Sequence, residues 1–411
     1  MSEIIELIAN KIHQKHHEIT EFFAKKIIDK KYNFYNSVDI RHSGHKIAVV
    51  DTNSFPAGFN NFLEKNITLA KNQIKKFLSE NFSHKPIKKI ILIAENHTRN
   101  QKYFDNLAVL EKIFSDFVEI KIVSLNPEIL EPTLFTLSNL KTITIHPIQL
   151  IDKQLAIDKN FIADLAILNN DLTQAPLAIL QNTITPIIPS INLGWYNRSK
   201  SNHFTIYNQI VAEFCDIIKI DPWLISTYHD HCLDVDFKNN VNLDLVAKKV
   251  EEIIQKTQKK YYEYNIKDQP YVFVKADNGT YGMAVWSVNS SQQILEINKK
   301  ERNKMSVVKG SIVNSKVIIQ EGIKTVDKIN NSPCEPLIYL IDGQVVANLF
   351  RGNDNRSELN SLNALGANFY NFDEVNFEKK IFNFSKNSLA VYEIIAKLAC
   401  CANILENNIS N

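Results

Sequence analysis

The sequence predicts an α/β protein in two parts: an N-terminal α/β domain with a largely parallel sheet, and a C-terminal α+β domain. Short apolar runs alternate with amphipathic stretches through the first half, which is typical of helices layered on a sheet. The chain has only ten glycines, and seven of them follow residue 278, so close backbone turns are concentrated in the second half. A chain of 411 residues is also too long for one ordinary core. We therefore predict domains 1–240 and 241–411.

The first domain opens with a predicted helix, because apolar residues from Ile4 to Ile27 recur at mostly helical spacing. Further helices are predicted at 62–82 and 102–117. Five apolar runs predict strands, at 47–50, 90–94, 118–123, 142–145 and 163–168. Their alternation with helices predicts a largely parallel sheet.

Polar segments follow three of these strands, at 51–61, 95–100 and 169–171. Each alone is explained by ordinary turn formation. Together they predict one substrate pocket, since ligands bind beyond the carboxyl ends of strands in open α/β sheets. The segment GWYNRSKSNHF adds two cations, and an arginine fork binds a carboxylate well. The predicted substrate-binding residues are Arg41, Asn53, Asn96, Arg99, Asn169, Arg198 and Lys200.

Composition narrows the class of protein. The formal charge of +2 is nearly balanced and the lysines are scattered, whereas nucleic-acid binding usually needs a basic stripe. We expect no membrane helix, because the most apolar late stretch, 389–405, is interrupted by Glu393 and Lys397 and reads as an amphipathic closing helix. The first residues do not resemble a secretory signal, and none of the five cysteines forms a C-x-x-C pair. These features predict a cytoplasmic protein.

The most informative segment is YVFVKADNGTYG, at 271–282. It places Lys275 at the end of an apolar strand, directly before a loop with Gly279 and Gly282. A lysine can offer a point charge to phosphate oxygens, and glycines let backbone N–H groups approach them. A strand, lysine and turn without function is the alternative interpretation. Apolar strands follow at 317–323 and 335–350, and then comes RGNDNRSELNSLNALG.

This order of strands, loops and polar residues resembles the ATP-grasp fold, in which two small subdomains hold ATP between them. The resemblance implies that Lys275 and Arg351 are catalytic, with Arg351 facing the transferred phosphoryl group. It implies a phosphate loop of Lys275, Asp277, Gly279, Thr280, Tyr281 and Gly282, and an adenine hinge of Gln320, Glu321, Gly322 and Ile323. Glu358, Asn360 and Asn363 become the Mg²⁺ ligands, which suits a cation that prefers oxygen. Asp342 and Asp354 are alternatives, and so is an asparagine-rich surface loop.

Longer blocks resemble one family. DTNSFPAGFNN, GWYNRSKSNHF, IDPWLIS, FVKADNGTYGM and VIIQEGI, in this order, closely resemble the proteobacterial ATP-grasp type of glutamate–cysteine ligase. The resemblance extends from Val38 to Phe369, and the chain departs from it at 227–237 and 360–369.

The family resemblance implies that L-glutamate, L-cysteine and ATP are the small-molecule partners, with Mg²⁺, and that γ-glutamylcysteine is made through an acyl phosphate. The first domain would then bind glutamate, with at least one cation on its α-carboxylate. Another ATP-grasp carboxylate–amine ligase and a non-catalytic ATP-binding protein are the competing interpretations. The sequence leaves the oligomeric state open, a homo-oligomer included.

Overall fold

A computed structural model describes residues 3–27, 33–96, 100–279, 283–308, 313–372, 381–382 and 386–409. The helices in these ranges are α1 (Glu3–Gln14), α2 (His16–Lys26), α3 (Glu64–Asn81), α4 (Gln101–Ser115), α5 (Ala178–Gln181), α6 (Lys200–Ile218), α7 (Leu243–Glu263), α8 (Gln292–Leu295), α9 (Lys299–Met305) and α10 (Lys386–Ile409). The predicted opening helix is therefore two helices, since the chain turns at Lys15.

The strands in the first part of the chain are β1 (Tyr35–His42), β2 (Ile47–Asn53), β3 (Lys89–Ala94), β4 (Glu119–Ser124), β5 (Thr133–Thr136), β6 (Thr142–Pro147), β7 (Gln149–Ile151), β8 (Gln154–Asp158), β9 (Phe161–Ile162), β10 (Leu165–Asn169) and β11 (Ile187–Ile188). Later strands are β12 (His229–Cys232), β13 (Val272–Ala276), β14 (Val285–Val288), β15 (Val317–Glu321), β16 (Lys328–Ile329), β17 (Ser332–Ile341), β18 (Gln344–Gly352), β19 (Asn368–Asn371) and β20 (Ile381–Phe382).

Six strands form a mostly parallel sheet in the order β11-β10-β3-β4-β6-β5. Each neighbouring pair is parallel except β5 with β6. Apolar residues of α3 and α4 pack on one face of β3 and β10. The parallel order brings the carboxyl ends of β3 and β10 together, so the residues that follow them share one edge of the sheet.

A second sheet has seven strands and is antiparallel, with β1 paired to β17 on one side and to β2 on the other. The predicted strand at 47–50 is thus β2 of this sheet, and its assignment to the parallel sheet was wrong. The reason is non-local: β2 pairs with β1, and β1 pairs with β17, which lies almost 300 residues later in the chain. The sheet draws strands from both sides of residue 240, and the boundary there stays a prediction.

One face of this seven-stranded sheet changes from apolar to charged along its strands. Leu337, Tyr339 and Ile341 of β17 pack under α3. Glu335 lies on the same face because side chains alternate along a strand, and it falls beyond the apolar part. The uncovered end of this face carries the charged side chains of the site.

A third sheet, β12-β15-β13-β14, is antiparallel and has its own core. Residues of α7 and α8 pack against Val272, Val274 and Ile319 on one face of this sheet. The opposite face therefore carries the alternate residues of β13, including Phe273 and Lys275.

The closing helix α10 is long and apolar enough to cross a membrane by length and composition, over Asn387–Glu406. Two thirds of that window, 67%, is buried inside the protein. Its apolar side chains share one core with α1, α6 and the inner face of β1. This packing explains its composition as that of a core helix.

Candidate active site

A cleft lies between the charged end of the seven-stranded sheet and the open face of the four-stranded sheet, and encloses about 550 Å³ including its mouth. The first helical residue of α6 and the segment after β18 complete its wall. Its lining residues are Asp39, Arg41, Val50, Asp51, Lys200, Phe273, Lys275, Ala276, Gly279, Met283, Val285, Glu335, Arg351, Ser361 and Asn363.

Four buried charges form a network at the base of the cleft. Arg351 Nη2 donates to Glu335 Oε1 at 2.6 Å and also to the carboxylate of Asp39. Arg41 Nε donates to Glu335 Oε2 at 2.7 Å. Glu335 and Arg351 are directly opposite each other on β17 and β18. The antiparallel register of three strands therefore fixes both arginines relative to one carboxylate.

The electrostatics of this network favour an anionic ligand. Burial raises the pKa of Asp39 to about 6, against the opposing effect of Arg351. Burial also acts to raise the pKa of Glu335, but Arg41 and Arg351 outweigh it and hold that pKa below its ordinary value. Among the described residues, three carboxylates and four cations line the cleft, which gives one net positive charge when all are ionised.

Lys275 lies at the mouth of this network, half-buried. Its Nζ donates to the carbonyl oxygen of Val50 at 3.0 Å and to Gln320 Oε1 at 2.5 Å. Burial lowers its pKa to about 8, although Asp51 acts in the opposite direction. Lys275 is thus a cation with little hydration, placed where a phosphate oxygen could replace its protein acceptors.

Lys200 is the fourth cation of the cleft and comes from α6. Its Nζ donates to the carboxylate of Asp51 and lies 4.5 Å from the centre of the Trp195 ring. The predicted substrate residues Arg41 and Lys200 thus reach the same cleft as the predicted catalytic residues Lys275 and Arg351.

Asp277 does not line the cleft, although its sequence position predicts nucleotide binding. It is 2% exposed, and its carboxylate accepts hydrogen bonds from Ser201 N and Ser201 Oγ, both at 2.7 Å. Both carboxylate oxygens therefore serve the first turn of α6. Its neighbour Gly279 does line the cleft.

The side chains of the predicted adenine hinge are buried against other parts of the protein. Glu321 is 1% exposed and accepts hydrogen bonds from Lys46 Nζ at 2.8 Å and from Trp223 Nε1 at 3.0 Å. Gly322 packs so closely on Tyr271 that a Cβ there would lie 2.5 Å from its ring. The carbonyl oxygen of Ile323 accepts from Arg41 Nη1 at 3.0 Å. Any contact of the hinge with a nucleotide base would therefore come from the remaining backbone groups.

The three predicted metal ligands are separated by the structure. Glu358 is exposed and is not among the residues that line the cleft. Asn360 is half-buried, and its Oδ1 accepts from Ser357 Oγ at 3.0 Å. Asn363 lines the cleft. The alternatives Asp342, in the β17–β18 turn, and the exposed Asp354 do not line it.

The donor groups around the cleft determine whether Mg²⁺ fits there. Among the described residues, no group of three or more His, Cys, Asp and Glu side chains is arranged to hold a metal ion. The cleft does offer oxygen donors of the kind Mg²⁺ takes together with phosphate oxygens, namely the amide of Asn363 and the carboxylate of Glu335. The donor set therefore fits a cation that is shared with a bound phosphate.

The remaining predicted substrate residues lie at strand ends. Asn53 ends β2, and Asn96 is exposed just after β3. Asn169 ends β10 and donates through Nδ2 to the carbonyl oxygen of Pro56, while its buried Oδ1 has no hydrogen-bond partner in the part of the chain that the structure describes. Arg99, Thr280, Tyr281 and Gly282 lie outside the described residues.

Arg198 is the predicted substrate residue that the structure places elsewhere. It is 7% exposed, and its guanidinium donates to Glu406 Oε2 at 2.8 Å, to the Thr52 carbonyl oxygen at 2.7 Å and to Asn403 Oδ1 at 3.0 Å. The guanidinium also lies 4.9 Å from the centre of the Trp195 ring. These contacts join α10 to β2, so Arg198 does not reach the cleft.

Sequence reasoning did not single out Asp39 and Asp51 as cleft residues. The available signal was the alternation Val38-Asp39-Ile40-Arg41, in which two charged residues alternate with two β-branched apolar residues. A strand that buries all eight of its residues, as β1 does, must pair such charges.

A cleft with two arginines, two lysines and oxygen donors, set between two antiparallel sheets, suits an anionic ligand. The model of the family described as Glutamate-cysteine ligase matches residues 9–407. The chain therefore belongs to the glutamate–cysteine ligase family and is a ligase that joins L-glutamate to L-cysteine in glutathione biosynthesis. A search of curated proteins gave no match.

One solved structure supports the same family. The chain is similar to a Methylobacillus flagellatus KT protein described as a candidate gamma-glutamylcysteine synthetase, with 34% identity, a TM-score of 0.89, and coverage of 100% of this chain and 97% of that one. A D-alanyl-alanine synthetase A from Vibrio cholerae matches at 11% identity and a TM-score of 0.35, covering 76% and 79%. A glutathione synthetase-like effector from Globodera pallida matches at 9% identity and a TM-score of 0.37, covering 85% and 76%.

Proposed function

We propose that the cleft carries out the ligation in the manner of an ATP-grasp enzyme, with ATP and glutamate bound together and the γ-carboxylate activated as an acyl phosphate. The observation that carries this proposal is the convergence of Lys275 and Arg351, from two different sheets, on one cleft. Phosphoryl transfer needs little covalent help from the protein, and positioning with charge neutralisation supplies most of the catalysis.

ATP would lie against the four-stranded sheet. Phe273, Met283 and Val285 offer an apolar wall for the base. Backbone groups of 320–323 would lie at the edge of the base. Lys275, with the loop that begins at Gly279, would hold the phosphates. The proton on Lys275 stays in place during transfer, because the role of this lysine is to balance charge.

Glu335 and Asn363 would hold Mg²⁺ together with the phosphates, which replaces the predicted set of Glu358, Asn360 and Asn363. When bound, this ion would neutralise charge on the phosphate oxygens. Arg351 would face the transferred phosphoryl group, and Arg41 would orient Glu335 through the hydrogen bond at 2.7 Å.

Glutamate would lie on the side of the cleft formed by β2 and α6. Lys200 is the cation that lines the cleft there, paired with Asp51, so we assign it to the α-carboxylate in place of Arg198. Asn53 and the strand-end residues Asn96 and Asn169 are proposed to line the amino-acid side. The γ-carboxylate is then left to point at Lys275 and the phosphates. The cysteine amine would attack the acyl phosphate, and phosphate would leave.

The test is a measurement of ADP and phosphate release with ATP, Mg²⁺, glutamate and cysteine, with the product identified by mass spectrometry. Stoichiometric γ-glutamylcysteine and ADP are expected. A second acid or amine that is used faster would make this chain a different carboxylate–amine ligase. ATP binding without turnover would support a non-catalytic protein. A cytoplasmic location and the oligomeric state stay proposals that fractionation and light scattering would check.

A further inference from the structure

The first turn of α6 is held by a residue of the nucleotide side of the cleft. Asp277 lies two residues after Lys275, within the predicted phosphate loop. Its carbonyl oxygen accepts from Lys200 N at 2.8 Å, and its carboxylate accepts both from Ser201 N and from Ser201 Oγ at 2.7 Å. Three hydrogen bonds therefore join this loop to the helix that presents Lys200.

The N-terminus of α6 depends on this attachment. The first N–H groups of a helix have no partner within the helix. In α6, Asp277 accepts from Lys200 N and Ser201 N, whereas the N-cap Ser199 Oγ accepts from Asn202 N at 3.3 Å and from Ser201 Oγ at 3.4 Å. A buried carboxylate beside a helix N-terminus is also favoured by the helix dipole. Asp277 is 2% exposed and Ser201 7% exposed, so water is a poor substitute for either.

Helix α6 connects Asp277 to the side of the cleft where we place glutamate. Lys200 Nζ pairs with Asp51, and Asp51 directly follows Val50, whose carbonyl oxygen accepts from Lys275 at 3.0 Å. Asp277, the first turn of α6, residues 50–51 of β2 and Lys275 thus form a closed ring of contacts. A shift of Asp277 on nucleotide binding must move Lys200 or break these hydrogen bonds.

We propose that Asp277 is a positioning residue that couples the two substrate sites: it contacts no nucleotide itself, and through Ser201 it makes glutamate binding at Lys200 stronger when ATP is bound. This inference rests on the proposed function of the cleft. Coupling between two ligands is reciprocal, so ATP must bind more strongly with glutamate present by the same factor.

The experiment measures the Kd of glutamate by calorimetry, with and without a non-hydrolysable ATP analogue and Mg²⁺. In the wild-type protein we expect the analogue to strengthen glutamate binding by roughly fivefold or more. In Asp277→Asn this factor should fall to about one to two, while the Kd of the analogue alone stays within about twofold of wild type, because the lost charge served Ser201 and not the nucleotide.

Ser201→Ala gives a milder variant that keeps the charge and two of the three hydrogen bonds, and an intermediate factor is expected. Ser201→Thr retains the hydroxyl and should restore the wild-type factor. Asp221→Asn is the matched control: its carboxylate also accepts a helix N–H, from Trp223 N at 2.9 Å, but outside the cleft, so it should leave the factor unchanged.

An unchanged factor in both Asp277→Asn and Ser201→Ala would overturn the inference, and so would a wild-type factor near one. Weaker binding of the analogue alone in Asp277→Asn would instead make Asp277 a direct nucleotide ligand, which also overturns it. Failure of the wild-type protein to bind either ligand would remove the proposed function together with the inference.

Discussion

The proposed reaction needs Lys275 to be charged, but its buried position disfavours the charged form. Burial lowers its pKa to about 8 from the ordinary 10.5. The unfolded chain therefore holds this proton up to higher pH than the folded chain, so the folded state gains stability as pH rises from about 8 to 10.5. The folded protein carries the cost of a poorly hydrated ammonium throughout the neutral range, as expected of a group kept for catalysis.

We predict that Lys275→Met lowers kcat by roughly 10²–10³-fold without lowering the melting temperature, because the variant removes charge stabilisation and also a poorly hydrated ammonium. In the wild-type protein, kcat/KM for ATP should decline above pH 8 as Lys275 loses its proton. Steady-state kinetics and thermal denaturation across pH 6–10 check both. Retention of full turnover by Lys275→Met would exclude this lysine from the site.

Asn363 and Glu358 offer a second comparison between residues. Asn363 lines the cleft and Glu358 is exposed outside it. We predict that Asn363→Ala raises the half-saturating Mg²⁺ concentration on the order of tenfold, whereas Glu358→Gln leaves it unchanged. Magnesium titrations of ligase activity at saturating ATP distinguish the two. A larger effect of Glu358→Gln than of Asn363→Ala would instead place Mg²⁺ at Glu358, outside the cleft.

At the scale of elements, local patterns located most helices and strands but not all their partners. The runs at 90–94 and 163–168 correspond to β3 and β10, since apolar β-branched runs are a local property. β1 was not assigned as a strand, because Asp39 and Arg41 interrupt its pattern, and only the pairing with Glu335 and Arg351 on distant strands makes their burial favourable. Arg198 was misplaced for the same reason: its partner Glu406 lies 208 residues further along the chain.

The α10 helix is anchored by a buried carboxylate. Glu406 accepts from Arg198 Nε at 2.8 Å and pairs with His203. Burial acts to raise its pKa, but Arg198 and His203 outweigh it and hold the pKa at about 2. A carboxylate with a lowered folded-state pKa contributes stability above its unfolded value, and loses it as pH falls from about 4.5 towards 2.

We predict that Glu406→Gln destabilises the protein by roughly 3–5 kcal/mol at neutral pH, because the buried charge of Arg198 then lacks the carboxylate that compensates it. Glu213→Gln is the matched control. Glu213 accepts from Lys26 at 2.6 Å but is 57% exposed, so its loss should change stability by less than about 1 kcal/mol. Urea denaturation at pH 7 and pH 3 measures both, and the difference between wild type and Glu406→Gln should shrink at pH 3. Equal effects of the two substitutions would exclude an anchoring role for Glu406.

At the scale of the whole molecule, the cleft forms because strands late in the chain pair with its first strands. β1 and β2 supply Asp39, Arg41 and Asp51, while β17 and β18 supply Glu335 and Arg351. The four-stranded sheet is inserted between these two contributions in sequence and brings Lys275. Composition and glycine placement could separate the two halves of the sequence but could not show that one sheet spans both.

This topology predicts which fragments fold. The four-stranded sheet and its helices have a core made from 228–319 alone. A fragment of residues 226–324 should therefore fold cooperatively by itself. Fragments 1–240 and 241–411 should not, because a cut at 240 separates β1 from β17 and β12 from β15. Each would leave a long sheet edge and the apolar core of α6 and α10 without its partner elements.

Circular dichroism melting curves of the three fragments test this, with the full chain as reference. Co-expression of 1–240 with 241–411 should recover part of the ligase activity, since both sets of cleft residues are then present. Independent cooperative melting of 1–240 and 241–411 would mean that each half has a sufficient core of its own, and the boundary at residue 240 would then separate true domains. A fragment 226–324 that remains unfolded would show that the four-stranded sheet needs the rest of the cleft to hold it in place.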